Sequence, residues 1–374
     1  MNRRPSQSRT GFDSFSPQHT AHFKAAQPGG EFFEPKPRAS LGRRLLLALL
    51  LMTLIALAVN LAVNQFVRVA RVTVPIRRMD PAFEGYTLLQ ISDLKGATYG
   101  SNQALIRFAL QNEDFDAVVF TGDMVSSRGN AQPLYALIEM LRELKPDAPI
   151  YMIPGDKDPL PASMSYATGG SPFAPWVLGA KQRGGQLLSA PVQIERDGHT
   201  LWLTTSALLS LDMDTMQAQF ERQYLDALAD GDENAIELTT YNLQWLTETR
   251  NARAKMTDGD VYIALTHVPP ADEELESAYP GSLRERVHLV LCGHYQGGLI
   301  RLPFAGALFI PSQNLPLYGL LPGADTYFGL TRKGRTYLYV SPGLGGNDGL
   351  YPLPFFRLFN PPTVSLISLT TSSL

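Results

Sequence analysis

Leu89-Gln90-Ile91-Ser92-Asp93-Leu94-Lys95 and Val119-Phe120-Thr121-Gly122-Asp123 decide how this chain is read. Each is a short apolar run that ends on a carboxylate. The same punctuation returns at Gly155-Asp156-Lys157-Asp158 after Ile150–Ile153, at His267 after Val261–Thr266, and at Gly293-His294-Tyr295-Gln296-Gly297-Gly298 after Leu289–Cys292. In α/β sheets, loops leaving the carboxyl ends of strands converge on one crevice, where ligands bind. A glycine beside the carboxylate lets the backbone turn tightly and come close to a bound ion. Taken singly, a Gly-Asp reads as a turn and a strand-end His as a core histidine. Five such clusters in one order read as a site.

Outward from these clusters, β-branched runs alternate with helical patterns, the signature of a layered α/β domain. Strands are expected at Thr87–Ile91, Ala117–Thr121, Thr336–Val340 and Val364–Leu369, besides those already named. Asp197-Gly198 marks a hairpin turn between Val192–Glu195 and Leu201–Thr204. Apolar residues three or four apart predict helices at Asn102–Asn112, Pro133–Leu144, Met213–Ala229 and Tyr241–Arg253.

Composition excludes more than it assigns. A net charge of -3 leaves no basic footprint for nucleic acid. The single cysteine, Cys292, rules out an intramolecular disulfide framework and every cysteine-based zinc site, so a metal would be held by His, Asp and Glu.

The amino-terminal region has a different character. Residues 1–42 are rich in Arg, Ser, Pro and Gly without hydrophobic period and read as a disordered basic tail. From Leu45 to Val67 only Thr53, Asn60, Asn64 and Gln65 interrupt an apolar run, and about 20 such residues span a bilayer as a helix. A transmembrane anchor over 43–67, a linker over 68–80 and a domain over 81–374 follow. The small residues Ala56-Leu57-Ala58 would suit a signal peptidase and Arg43-Arg44 a twin-arginine export signal, but the tail is long for a cleaved signal. Basic residues before the span outnumber those after it, which predicts a cytoplasmic amino terminus and a domain outside the membrane.

The five clusters resemble the calcineurin-like metallophosphoesterase family, in its membrane-anchored bacterial branch. The resemblance covers about residues 80–370 and extends to Ile300-Arg301-Leu302-Pro303-Phe304, to Tyr339-Val340-Ser341-Pro342-Gly343-Leu344-Gly345, and to Arg357 with Asn360-Pro361-Pro362. It implies a four-layer α/β/β/α sandwich, here preceded by one transmembrane helix, and two adjacent metal ions that clamp a phosphoryl group and activate water. For the first ion, the family's pattern falls on Asp93 and Asp123, but Lys95 and Gln296 stand where two histidines are expected. For the second, it falls on Asp123, Asp156, His267 and His294, all competent ligands, with Asp156 replacing an asparagine. Lys157 takes the place of the family's protonating histidine. His19, His22, His199 and His288 match no ligand position.

Both losses fall on one ion. The expectation is therefore one divalent metal, Zn, Mn or Fe, because two imidazoles and two carboxylates suit these ions better than calcium. Lys95 would neutralise Asp93 in the lost position, and Lys95 and Lys157 would bind phosphate. Three readings stay open: a one-metal hydrolase of phosphorylated small-molecule or lipid-linked substrates, an inactive metal- or phosphate-binding module, and a metal-free site filled by a Lys–Asp network.

Overall fold

The computed structural model describes residues 40–126, 128–167, 171–276, 283–302, 306–310, 319–323, 327–346 and 357–371. The predicted tail up to residue 39, including His19 and His22, lies outside them.

The apolar runs become strands, joined among the described residues by five that the sequence reading did not name. In chain order they are β1 (Arg68–Pro75), β2 (Thr87–Ile91), β3 (Ala117–Thr121), β4 (Ile150–Ile153), β5 (Gly185–Leu187), β6 (Val192–Arg196) and β7 (His199–Thr205). Beyond these come β8 (Val261–Leu265), β9 (Leu289–Cys292), β10 (Arg301–Leu302), β11 (Gly306–Ala307), β12 (Gly329–Lys333), β13 (Thr336–Val340) and β14 (Thr363–Thr370). The five unnamed strands are β1, β5, β10, β11 and β12. One six-stranded sheet has the order β1-β14-β2-β3-β4-β5, and the other β12-β13-β9-β8-β7-β6. Strands β2 to β5 run parallel, as do β7, β8, β9 and β13. Every residue of β3, β4, β8 and β9 is buried, which is why these runs are continuously apolar rather than alternating.

Three apolar layers hold the sandwich. Leu88, Val119, Leu203, Ile263, Leu291 and Ile367 meet between the sheets. The outer face of the first sheet, with Leu89, Val118 and Phe120, packs on Ile106, Leu137 and Trp176 of the helices Ala104–Leu110, Gln132–Leu144 and Pro175–Gln182. On the second sheet, Trp202 and Tyr262 pack against Met256 at the end of the helix Glu233–Lys255, and Val290 and Val340 against Ile310 and Tyr327. Each fully buried large side chain contributes about 1.5–3 kcal/mol. The parallel strands send the carboxyl ends of β2, β3, β4, β8 and β9, and with them all five clusters, to one end of the two sheets.

Some segments differ from the sequence reading. The stretch 68–80, read as a linker, contains β1, which pairs in parallel with β14 from Arg68↔Thr363 to Pro75↔Thr370. It is an edge strand whose arginines face outward, so its alternation is weaker than a core strand's. The helix expected at Tyr241–Arg253 begins at Glu233, because the Asp232 carboxylate accepts the Ala235 N–H at 3.0 Å and caps it. The neighbouring helix Met213–Asp230 ends on Gly231 in the left-handed conformation.

Ahead of β1 stands the helix Leu41–Val63, long and apolar enough to cross a membrane. It stops four residues short of the predicted Val67. Its leucines are exposed, and Asn60 is its one buried residue. The chain divides into two compact units after Thr53, and the helix's last turns belong to the second.

Candidate active site

Five loops bring the sequence-predicted residues together. After β2, Asp93 Oδ2 accepts hydrogen bonds from Ser92 Oγ at 2.7 Å and from the His294 N–H at 3.1 Å. Its Oδ1 accepts from Gln296 Nε2 at 3.4 Å and lies 3.9 Å from Lys95 Nζ. Lys95, itself buried, places Nζ 3.2 Å from Asp123 Oδ2. The other Asp123 oxygen accepts the Lys157 backbone N–H at 2.9 Å.

His267 is oriented from behind. Its Nδ1 donates to the Thr121 carbonyl at 2.8 Å, since a carbonyl can only accept, and this turns Nε2 toward the carboxylates. Nε2 lies 3.3 Å from Asp123 Oδ2 and 3.0 Å from Asp156 Oδ1. His294 Nδ1 approaches the same Asp156 oxygen to 3.3 Å, and the two imidazoles meet edge to face with centroids 5.2 Å apart. Two overlapping groups result, Asp156 with His267 and His294, and Asp93 with Asp123 and His267. Lys157 is at the rim, about half exposed, with Nζ 3.1 Å from Asp156 Oδ2.

Charge couples these groups. Burial alone would lower the His267 pKa, but the carboxylates facing its Nε2 push it up to about 11. Asp156 is held well below the usual carboxylate range, first by His267, then by Lys157 and His294 against some burial. Burial would raise Asp123, yet His267, Lys95 and the Lys157 N–H lower it.

The backbone of the site is strained. Asp93, Lys95, Asp123, His294 and Gln296 have φ of 56°, 51°, 55°, 68° and 52°. Non-glycine residues in this region cost about 1–3 kcal/mol each and persist where the surroundings over-determine them, typically at functional sites. The adjacent glycines answer a different need. A Cβ on Gly155 would fall 2.2 Å from Asp123 Oδ1, and one on Gly293 would fall 1.9 Å from Ser92 Oγ. Only a bare backbone lets these loops close on each other.

Sequence reasoning gave no role to three residues that build the site. Asp158 accepts N–H bonds from Val125 at 2.7 Å and Gly155 at 2.8 Å, tying the loops after β3 and β4 together, while burial raises its pKa. Arg357 is fully buried, and its guanidinium donates to the carbonyls of Gln296, Pro342, Gly345 and Asn360 at 2.6–3.0 Å. Asn360 Nδ2 donates to Gln296 and Gly298. The resemblance had marked Arg357 and Asn360 without a role, and a further signal for Arg357 was its position as a lone charge inside the apolar run Leu353-Pro354-Phe355-Phe356-Arg357-Leu358-Phe359. His199 and His288 lie elsewhere, His199 paired with Asp80 and His288 accepting the Tyr262 N–H.

A family model for calcineurin-like phosphoesterases matches residues 86–296, more than half the chain. The chain belongs to that family. The calcineurin-like match starts just before β2 and ends at Gln296, so it takes in the candidate site residues of all five loops. A metallophosphoesterase of Bacillus subtilis (strain 168) described as uncharacterized, YkuE, is 26% identical over 268 residues, 70% of this chain and 73% of that one. Among solved structures, the phosphopantetheinyl hydrolase PptH of Mycobacterium tuberculosis aligns at 11% identity, covering 70% of this chain and 91% of that chain with a TM-score of 0.33. TT1561 of Thermus thermophilus aligns at 12% identity, covering 70% and 90%, with a TM-score of 0.34.

This phosphoesterase has groups that suit a metal. Asp123 Oδ2 and His267 Nε2 are buried without an aligned hydrogen-bond partner. They face each other and Asp156 Oδ1, an arrangement that a divalent cation held by oxygen and nitrogen donors satisfies.

Proposed function

We propose that this metallophosphoesterase is a membrane-anchored hydrolase of phosphomonoesters or phosphodiesters that works with one divalent ion, Zn, Mn or Fe, held by Asp123, Asp156, His267 and His294. One observation carries the reading. Lys95 Nζ occupies the space between Asp123 Oδ2 and Asp93 Oδ1, at 3.2 and 3.9 Å, while Asp156 and His294 stay accessible at the open side. When bound, the ion supplies Lewis acidity and a water of lowered pKa. Around it, Lys95 holds fixed positive charge where substrate phosphate oxygens would gather, and Lys157, at the rim, is free to swing from Asp156 onto the phosphate. The substrate class is a phosphorylated small molecule or a lipid-linked phosphate, presented at the cell envelope.

The burial of Lys95 also favours a second reading, a binding module that keeps one ion and turns nothing over. The two separate cleanly. Purified full-length protein is expected to carry about one divalent ion by elemental analysis; His294→Ala should lose it and Asp93→Ala should retain most of it. Hydrolysis of a generic phosphodiester supports the enzyme, one ion without turnover of any generic mono- or diester supports the module, and two tightly held ions would refute the ligand assignment.

The basic residues ahead of the apolar helix support a cytoplasmic amino terminus and a domain outside the membrane. Protease added to intact spheroplasts should then remove the domain. Protection until lysis would reverse the orientation.

A further inference from the structure

Asn60 and Asn64, two of the four polar breaks in the apolar run, lie one helical turn apart and face the domain. Asn60 Nδ2 and Asn64 Nδ2 both donate to the Arg357 carbonyl, at 2.7 and 2.6 Å, and Asn60 Oδ1 accepts the Phe359 N–H at 2.9 Å. From this clasp the backbone leads into a small lobe. Leu358 N–H bonds to Leu299, Arg301 N–H to Leu358, Leu308 N–H to Ile300 and Leu321 N–H to Leu308, and Phe309 bridges Leu320. The lobe and the clasp present Phe66, Leu302, Phe309, Leu320, Leu321 and Phe359 to the outside, between 39% and 68% exposed. Such a concentration of large apolar side chains marks an interaction surface rather than ordinary surface scatter.

We propose that this lobe is a membrane-docking face, by which the domain lies on the bilayer beside its own anchor. Helix length identifies the occupant. About 20 residues of helix cross the hydrocarbon, and the run from Leu45, the first residue past Arg43-Arg44, to the helix end at Val63, next to Asn64, has about that length. Asn60 and Asn64 therefore mark the far boundary of the bilayer, and Phe359, one hydrogen bond from Asn60, lies at the same depth. Aromatic and leucine side chains at that level insert into the headgroup region. Phe359 is bonded to Asn60 and Phe66 follows the helix end by three residues, so the surface begins where the span leaves the bilayer, and lipid, not a second protein, covers it. Arg357 makes the docking relevant to the site: its carbonyl is gripped by the helix and its guanidinium holds Gln296.

The proposal rests on reading Leu41–Val63 as a membrane span, and its test separates the two. Cys292 is buried, so the full-length chain can be spin-labelled at a single introduced cysteine. Phe309→Cys, Leu321→Cys and Phe359→Cys labels, with Leu54→Cys in the span, are placed in protein reconstituted into phosphatidylglycerol–phosphatidylethanolamine vesicles. Leu225→Cys is the aqueous control. It is exposed on the helix Met213–Asp230, which packs with the helix whose Trp245 bonds to Ser189 beside β5, the sheet edge opposite β1. Collision with oxygen relative to a soluble nickel chelate should be severalfold higher at the three lobe positions than at Leu225. Lobe labels matching Leu225 while Leu54 reads lipid overturn the docking alone. Leu54 in water overturns the span and the docking together. Lobe labels shielded from both reagents mean a protein covers the face, which also overturns it.

Discussion

Lys95→Ala is expected to destabilise the metal-free protein by about 3–5 kcal/mol, the cost of removing one partner from a buried ion pair. Lys95, Asp93 and Asp123 have side chains 7%, 0% and 1% exposed, so water cannot take over the ammonium's role. Without Lys95, two carboxylates share a dry site in which His267 faces Asp123 as a cation. Urea unfolding in chelator should show the loss in full, and added Zn or Mn should restore part of it by filling the vacated position. A midpoint unchanged in chelator would show that the pair contributes nothing. The converse experiment adds rather than removes ligands. Lys95→His with Gln296→His should raise the ion count from about one to two and start or raise phosphodiester hydrolysis, with Lys157→His added if leaving-group protonation limits the rate. A folded triple variant that still binds one ion and turns over nothing would move the balance to the binding module.

Arg357→Ala should be at least as damaging, about 4–5 kcal/mol, in the range that needs a specific mechanism. Three carbonyls, of Pro342, Gly345 and Asn360, lose their donor inside a fully buried pocket, and that of Gln296 keeps only the Asn360 amide. Each unsatisfied group costs about 1–3 kcal/mol, offset in part by no longer burying a cation. Burial already lowers the guanidinium pKa to about 10, a sign of how far it is removed from water. Arg357→Lys keeps charge but offers three donors in place of a planar fork, and should recover only part of the loss. Thermal unfolding of both variants decides the matter: an Arg357→Ala protein within about 1 kcal/mol of the parent would show that these loops hold without it.

The order of strands and the chemistry at their ends were written locally. Runs such as Ala117–Thr121 and Leu289–Cys292 are apolar on both faces and end in Gly-Asp or Gly-His, so their hydropathy and turn residues state both the strand and the loop it feeds. The reading of Lys95, Lys157 and Gln296 as departures from the family pattern likewise rests on residue identity alone. Tertiary structure alone decided the rest. Edge strand β1 passed for a linker because a strand covered on one side carries a diluted pattern and depends on its partner, β14, nearly 300 residues away in the chain. Left-handed backbone at Asp93, Lys95, Asp123, His294 and Gln296 is contrary to the preference of those residues and exists because loops from both sheets press on it. Asn60 and Asn64 read as breaks in an apolar run and Arg357 as part of a family motif; that Asn60 and Arg357 bond to each other, across 297 residues of sequence, only the fold decides. Local composition sets what a segment prefers, but which buried donor meets which carbonyl is fixed only when distant segments close around them.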